Sequence, residues 1–251
     1  MQTLGEAKFS NYQQSVTTAL DLISAAEALS TEKKFLIKPN LVNSSPHPVT
    51  TSPDFCRAVI EYVLKANNKA EIIIAEGSGD SKLETPEIFK KLGYMELAED
   101  YGIELLDLNY APLCKKSLPG TKVFPEMYLP EIAFTHKIIS MPNLKGHSMA
   151  GITGTMKNMM GFAPPEHYSL GGWKKAAFHK QMQQSVKELN MYISPWLSIM
   201  DASVGLADYH LGGARCNPSP ELILAGFNPK ELDRRAAEIL GLNWQEIGHL
   251  C

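Results

Sequence analysis

Short apolar runs alternate with stretches of helical periodicity along most of the chain. Lys34-Phe35-Leu36-Ile37 is a strand-sized run that closes in the turn-forming Lys38-Pro39-Asn40. Thr51-Ser52-Pro53-Asp54 supplies a hydroxyl cap, a proline for the first helical position and an acid. That combination predicts a helix over Pro53–Ala66, with Phe55, Val59, Ile60, Val63 and Leu64 on its inner face. The rhythm then repeats. Glu71–Ala75 reads as a strand, Glu76-Gly77-Ser78-Gly79 as the loop at its carboxyl end, and Thr85-Pro86-Glu87 as the next helix start. Further strands are expected at Ile103–Leu108, His136–Pro142, Trp196–Asp201 and Glu221–Gly226. A first helix is expected over Tyr12–Leu29 and a closing one over about Pro229–Leu240. Six apolar runs alternating with helices predict an α/β fold, a mainly parallel sheet with helices on both faces in three layers.

Two stretches break the pattern. Residues 110–131 hold four prolines, which suggests a long excursion or a small hairpin. Residues 161–175 hold Gly161, Pro164, Pro165, Gly171 and Gly172, a composition suited to a flap. With no repeat or linker visible, 251 residues are expected to form one domain over 1–251.

Composition narrows the function classes. A net charge of -3 argues against a nucleic-acid surface, and no apolar run reaches the roughly 18 residues of a membrane span. Met1–Ser10 shows neither a basic start nor an apolar stretch, and Cys56, Cys114, Cys216 and Cys251 form no C-x-x-C pair. A cytoplasmic protein with reduced thiols is the expectation, without an intrinsic iron–sulfur motif.

Ligands of open parallel sheets bind outside the carboxyl ends of the strands. The loops expected there present Lys38 and Asn40, Glu76 and Ser78, Lys145 and His147, and Asp201. Gly151-Ile152-Thr153-Gly154-Thr155 leads toward Lys157 and Asn158, where glycines and a helix start would admit an anion. The spacing is not that of a P-loop, so a nucleoside triphosphate is not implied. The pattern suggests a site for a phosphate or carboxylate of a small molecule. Lys38, Lys145 and Lys157 would hold it, Thr153, Thr155 and Asn158 would line it, and His147 would act as general acid or base. Glu76 and Asp201 would orient the histidine or hold a divalent cation through oxygen. Plainer readings stand beside these. Lys145 and Lys157 are equally readable as solvated charges, His147 as a loop histidine bonded to backbone, and Asp201 as the cap of a turn. Met156, Met159 and Met160 read best as core.

Taken in order, Ile37–Val42, Thr51-Ser52-Pro53, Ile74–Gly79, Met141–His147 and Gly154–Gly161 resemble the domain of unknown function 362 family. His179, the strand ending at Asp201, and Leu224-Ala225-Gly226 leading to Asp233 extend the resemblance from about Lys34 to Leu242. Gly146 stands where the family usually has threonine, and Leu206–Tyr209 lacks the glutamate–glycine pattern expected after the aspartate. Many relatives carry a ferredoxin-like four-iron module. The resemblance therefore implies a redox component served by a ferredoxin-like partner as an alternative to the enzyme that the loop residues suggest, with a non-catalytic binding module at the same loops as the third reading.

Overall fold

The computed structural model describes residues 2–251. Its main sheet is built from β1 (Leu4–Lys8), β2 (Lys34–Pro39), β3 (Glu71–Glu76), β4 (Glu104–Asp107), β7 (Lys137–Met141), β8 (Asn143–His147), β9 (Gly151–Thr153), β10 (Leu197–Leu206) and β11 (Leu222–Gly226). A separate hairpin pairs β5 (Leu113–Ser117) with β6 (Glu126–Pro130). The sheet order is β1-β11-β10-β7-β2-β3-β4, with β8 against β10 and β9 against β8. The pairs β2–β3, β3–β4, β2–β7, β7–β10 and β8–β10 are parallel; β1, β9 and β11 pair antiparallel.

The helices divide between the two faces. One core contains Phe35, Ile37, Ile74, Ile139 and Ile199 beneath α1 (Tyr12–Leu22), α2 (Ala25–Thr31), α3 (Pro53–Ala66), α4 (Thr85–Lys91) and α5 (Tyr94–Tyr101). The other contains the alternate residues Leu36, Ala75, Ile138 and Met200. They lie beneath α6 (Thr155–Asn158), α8 (Met182–Tyr192), α9 (Pro229–Ile239) and the β5–β6 hairpin, with α7 (Pro165–Tyr168) beside them. Successive side chains of one strand enter opposite cores, so these strands are apolar without alternation. Three layers with a mostly parallel sheet are what the sequence pattern predicts.

Local chemistry explains the boundaries. Ser52 caps α3 by accepting from Asp54 N, with Pro53 in the first turn. The helix expected over Tyr12–Leu29 is instead two, because Ser24 takes a left-handed conformation (φ 54°) between α1 and α2. The excursion of 110–131 is the hairpin, whose Met127 and Leu129 are buried in the second core.

Chain order places a crevice in this sheet. From β2 the chain steps to β3 and β4 on one side, then returns to put β7 on the other side of β2. The reversal falls between β2 and β7, beside the carboxyl end of β2, and open α/β sheets bind ligands at such switch points.

Candidate functional site

A cavity of about 540 Å³ lies beyond the carboxyl ends of β2 and β3, of a size usual for small-molecule sites. Strand β2 contributes Lys38 and, just beyond it, Asn40; β3 contributes Glu76; β8 contributes His147; α6 contributes Lys157 and Asn158. Trp173, Lys175 and His179 close it from the 161–175 stretch and the turn after it, and His210 joins from the loop after β10.

Its floor is a continuous hydrogen-bonded network. Lys38 Nζ donates to Glu76 Oε1 at 2.7 Å and to Asn158 Oδ1 at 3.2 Å. Asn158 Oδ1 also accepts from Asn40 Nδ2 at 3.1 Å, while its Nδ2 donates to Lys38 O and Ser140 Oγ, both at 3.1 Å. Lys145 Nζ donates to Asn40 Oδ1 at 2.5 Å and Val49 O at 2.7 Å. The second carboxylate oxygen of Glu76 accepts Leu41 N at 2.9 Å. Lys38, Lys145 and Asn158 are buried, and their polar atoms are paired, as burial requires. Gly161 is needed beside this floor. A β-carbon there would lie 2.3 Å from Glu76 Oε1 and 2.6 Å from Lys38 Nζ.

Helix α6 is anchored from outside the cavity. Thr155 N and Met156 N donate to the Asp233 carboxylate of α9 at 2.6 and 2.9 Å, and Thr155 Oγ1 donates to Ser198 Oγ at 2.7 Å. The chain's own carboxylate thus occupies the helix start that was expected to take a ligand anion. With only four residues, α6 makes a poor anion receptor in any case. Burial without a counter-cation outweighs the two N–H bonds and raises the Asp233 carboxyl to about 7.

The cavity wall differs from its floor. Lys157 Nζ has neither a hydrogen-bond nor an ion-pair partner among the described residues, and burial, with the nearby charge of Lys38, lowers it to about 8. Lys175 is bound only by neutral acceptors, Asn109 Oδ1 at 2.6 Å and Ala163 O. Burial lowers it to about 7, the Glu76 charge opposing. Of the acids in the wall, Glu76 is committed to Lys38, and Asp80 Oδ1 accepts the Lys82 and Leu83 amides.

His147 has a defined tautomer. Its Nδ1 accepts Met149 N at 3.1 Å and Ala150 N at 3.2 Å, which leaves Nε2 to carry the hydrogen toward the cavity. Burial, then the charge of Lys157, then the neighbouring histidines depress it to about 2. The ring of His210 stacks on it with centroids 4.1 Å apart and is itself lowered to about 3 by burial and Lys157. His147 is therefore a neutral donor through Nε2. The expectation that it shuttles protons near neutral pH is corrected, because its basic nitrogen already holds two backbone amides.

Of the residues expected to form the site, Lys38, Asn40, Glu76, His147, Lys157 and Asn158 line the cavity, and five do not. Lys145 lies under the floor and acts on it through Asn40. Ser78 Oγ donates to Val42 O, Thr153 Oγ1 is buried without a partner, and Thr155 faces Ser198. Asp201 lies toward α1, accepting Tyr12 Oη at 2.7 Å, His47 Nε2 at 3.1 Å and Ser203 N at 2.9 Å. Neither Asp201 nor Glu76 orients His147, and the two carboxylates do not share a cation position. Among the described residues no group of three or more His, Cys, Asp or Glu is disposed to hold a metal ion. No helix among the described residues is long and apolar enough to cross a membrane.

Sequence reasoning passed over Lys175, His210 and Trp173. Lys175 ends the glycine-rich 161–175 stretch, a signal that a closing segment carries a functional group at its hinge.

With this geometry in view, comparison with known proteins adds two findings. Residues 35–238 match the family described as domain of unknown function (DUF362). The fold is similar to that of the lactate racemase apoprotein from Thermoanaerobacterium thermosaccharolyticum, with a TM-score of 0.57 and 15% identity. The match covers 92% of this chain and 55% of that one, so the chain spans about half the length of that protein. At such identity the likeness shows a shared fold. No curated protein sequence matches the chain.

Proposed function

The chain belongs to the DUF362 family, and from that premise we propose that it is an enzyme whose cavity binds a small molecule through a carboxylate or phosphate group. One observation carries the reading: Lys157 enters the cavity without a partner, beside a Lys175 that has only neutral ones. An ammonium in a cavity wall without a partner of its own is destabilised by desolvation, and at Lys157 by repulsion from Lys38 as well. An anion between the two lysines supplies what the protein withholds. His147 Nε2–H adds a neutral donor, and neutral donors of this kind stabilise oxygen atoms that gain charge during reaction.

Fold-level analogy points the same way, since the lactate racemase apoprotein is named for an enzyme of a small hydroxy carboxylate. The apolar part of the wall, with Leu41, Val42, Met160 and Trp173, suits a short carbon chain or ring attached to the acid group.

Thermal unfolding with sulfate, phosphate and oxalate tests the reading. The wild-type protein should be stabilised in proportion to ligand concentration. Lys157→Ala and Lys175→Met, each folded by circular dichroism, should lose that stabilisation. Equal stabilisation of all three proteins would rule the cavity out as the anion site. Replacing His147 by glutamine then separates an enzyme from a binding module: binding survives in both cases, whereas a histidine requirement for turnover marks catalysis.

A further inference from the structure

Four lysines surround this cavity or its floor, and their bonding sorts them by what their nitrogen can do. Lys38 donates to Glu76 Oε1, Asn158 Oδ1 and Pro39 O. Lys145 donates to Asn40 and Val49 beneath the floor, and Lys175 donates to Asn109 and Ala163. Each such bond ties the nitrogen to a fixed acceptor and restricts its approach to a carbonyl carbon. Lys157 alone has a nitrogen with no such commitment, and it stands on a helix fixed by Asp233, Ser198, Ser140 and the backbone of Lys38.

Resting on the anion-binding reading above, we propose that Lys157 is a nucleophile that forms an imine with an oxo acid held in the cavity. The neutral amine attacks the carbonyl carbon, and the C=O π pair moves onto oxygen, which takes up a proton. Loss of a proton from nitrogen gives a carbinolamine. Expulsion of its hydroxyl as water then forms the C=N bond, so one carbonyl oxygen leaves as water and no oxidant or reductant is consumed. His147 Nε2–H is placed to donate to the carbonyl oxygen as it gains charge, and Lys175 to hold the acid group.

The surroundings favour the free amine. Lys38, paired with Glu76, faces Lys157 from β2 and β3; His147 and Lys145 face it from β8; Lys175 and His179 face it from the 161–181 segment; His210 faces it from the loop after β10. Burial together with a cationic neighbour is one established way of making a lysine nucleophilic near neutral pH. A cavity of about 540 Å³ leaves ample room for a short oxo acid beside the side chain.

Reductive trapping decides the matter. The full-length protein is incubated with pyruvate or glyoxylate and sodium cyanoborohydride, and adducts are located by peptide mass spectrometry. A saturable adduct at Lys157, suppressed by excess sulfate and lost in Lys157→Arg, is the expected result. Arginine keeps the charge, so Lys157→Arg should still be stabilised by sulfate, which shows that it is folded and binds anions. Label confined to exposed lysines, or unchanged in Lys157→Arg, overturns the imine. If sulfate and oxalate still stabilise the protein in that event, the anion site stands and only the covalent step falls. If they do not, both readings fail together.

Discussion

A lysine without a protein partner is unusual in a cavity wall, and the half-buried Lys157 shows why such a group has chemical consequences. Its ammonium is disfavoured by burial and by Lys38, so in the free protein it loses its proton near pH 8. Sulfate resting against Lys157 reverses that balance and stabilises the protonated form, whereas an oxo acid whose carboxylate rests on Lys175 leaves the Lys157 amine free. Sulfate binding should therefore draw in protons near pH 8, and affinity should fall as pH rises through that value. Calorimetry in two buffers of different ionisation enthalpy reads the uptake directly; identical heats in both would count against it. Gly161 gives a second prediction at this scale. In Gly161→Ala the new methyl would sit on the Lys38–Glu76 pair, where buried ions tolerate little displacement. The expected loss is about 3 kcal/mol, in the range for breaking a buried pair, measured by urea unfolding. A wild-type midpoint would show that the close approach carries no constraint.

At the scale of elements, the short helix α6 governs the site. It holds Lys157 and Asn158, yet its start is pinned by Asp233 from α9, which does not line the cavity. Asp233→Ala should orphan two buried amides and cost about 2 kcal/mol. It should also weaken sulfate binding, with faster amide exchange at Thr155 and Met156. Binding unchanged despite faster exchange would show that α6 keeps its place without the clamp.

The same element shows where sequence reading reaches its limit. Pro53 and its capping serine announce α3, and the apolar runs announce β2, β3, β7, β10 and β11, because these signals are local. The clamp on α6 joins residues 78 positions apart, and nothing in Thr155 or Asp233 alone reveals it. Strand β8 reads as a loop in the sequence for a different reason. Asn143, Lys145 and His147 make the segment polar, and polarity ordinarily signals exposure, but all five residues are buried, with Asn143 and Lys145 donating to backbone carbonyls of residues 48–50. Lys145 and Asp201 stood in suitable places after strands, and only the direction of their side chains removed them from the cavity.

For the molecule as a whole, buried histidines set the response to acid. His147, His210 and His249 are held at about 2, 3 and 4, below the ordinary value near 6.5, chiefly by burial. The unfolded chain binds more protons than the native one between those values, so stability is present above about pH 6.5 and declines as pH falls. Asp233 acts oppositely. Its native value near 7 lies above the unfolded one, so between about 4 and 7 its contribution grows with acidity. With His136 and His179 lowered as well and Asp107 raised, the histidines outnumber the raised acids, which predicts a net loss of stability from pH 7 to pH 4.5 and a steeper loss in Asp233→Asn. A flat profile in thermal melts would contradict the burial of these rings. The whole-molecule architecture was largely legible, since alternating elements imply a covered parallel sheet. The order of its strands, and with it the reversal between β2 and β7 beside which the cavity lies, comes from packing choices that no local pattern encodes.

The account as a whole turns on where an anion rests. Crystals soaked in selenate, with anomalous scattering recorded at the selenium edge, would locate it without any assumption about the reaction. The strongest difference peak should lie within hydrogen-bonding reach of both Lys157 Nζ and Lys175 Nζ. Peaks confined to surface lysines, with none in the cavity, would contradict the proposal.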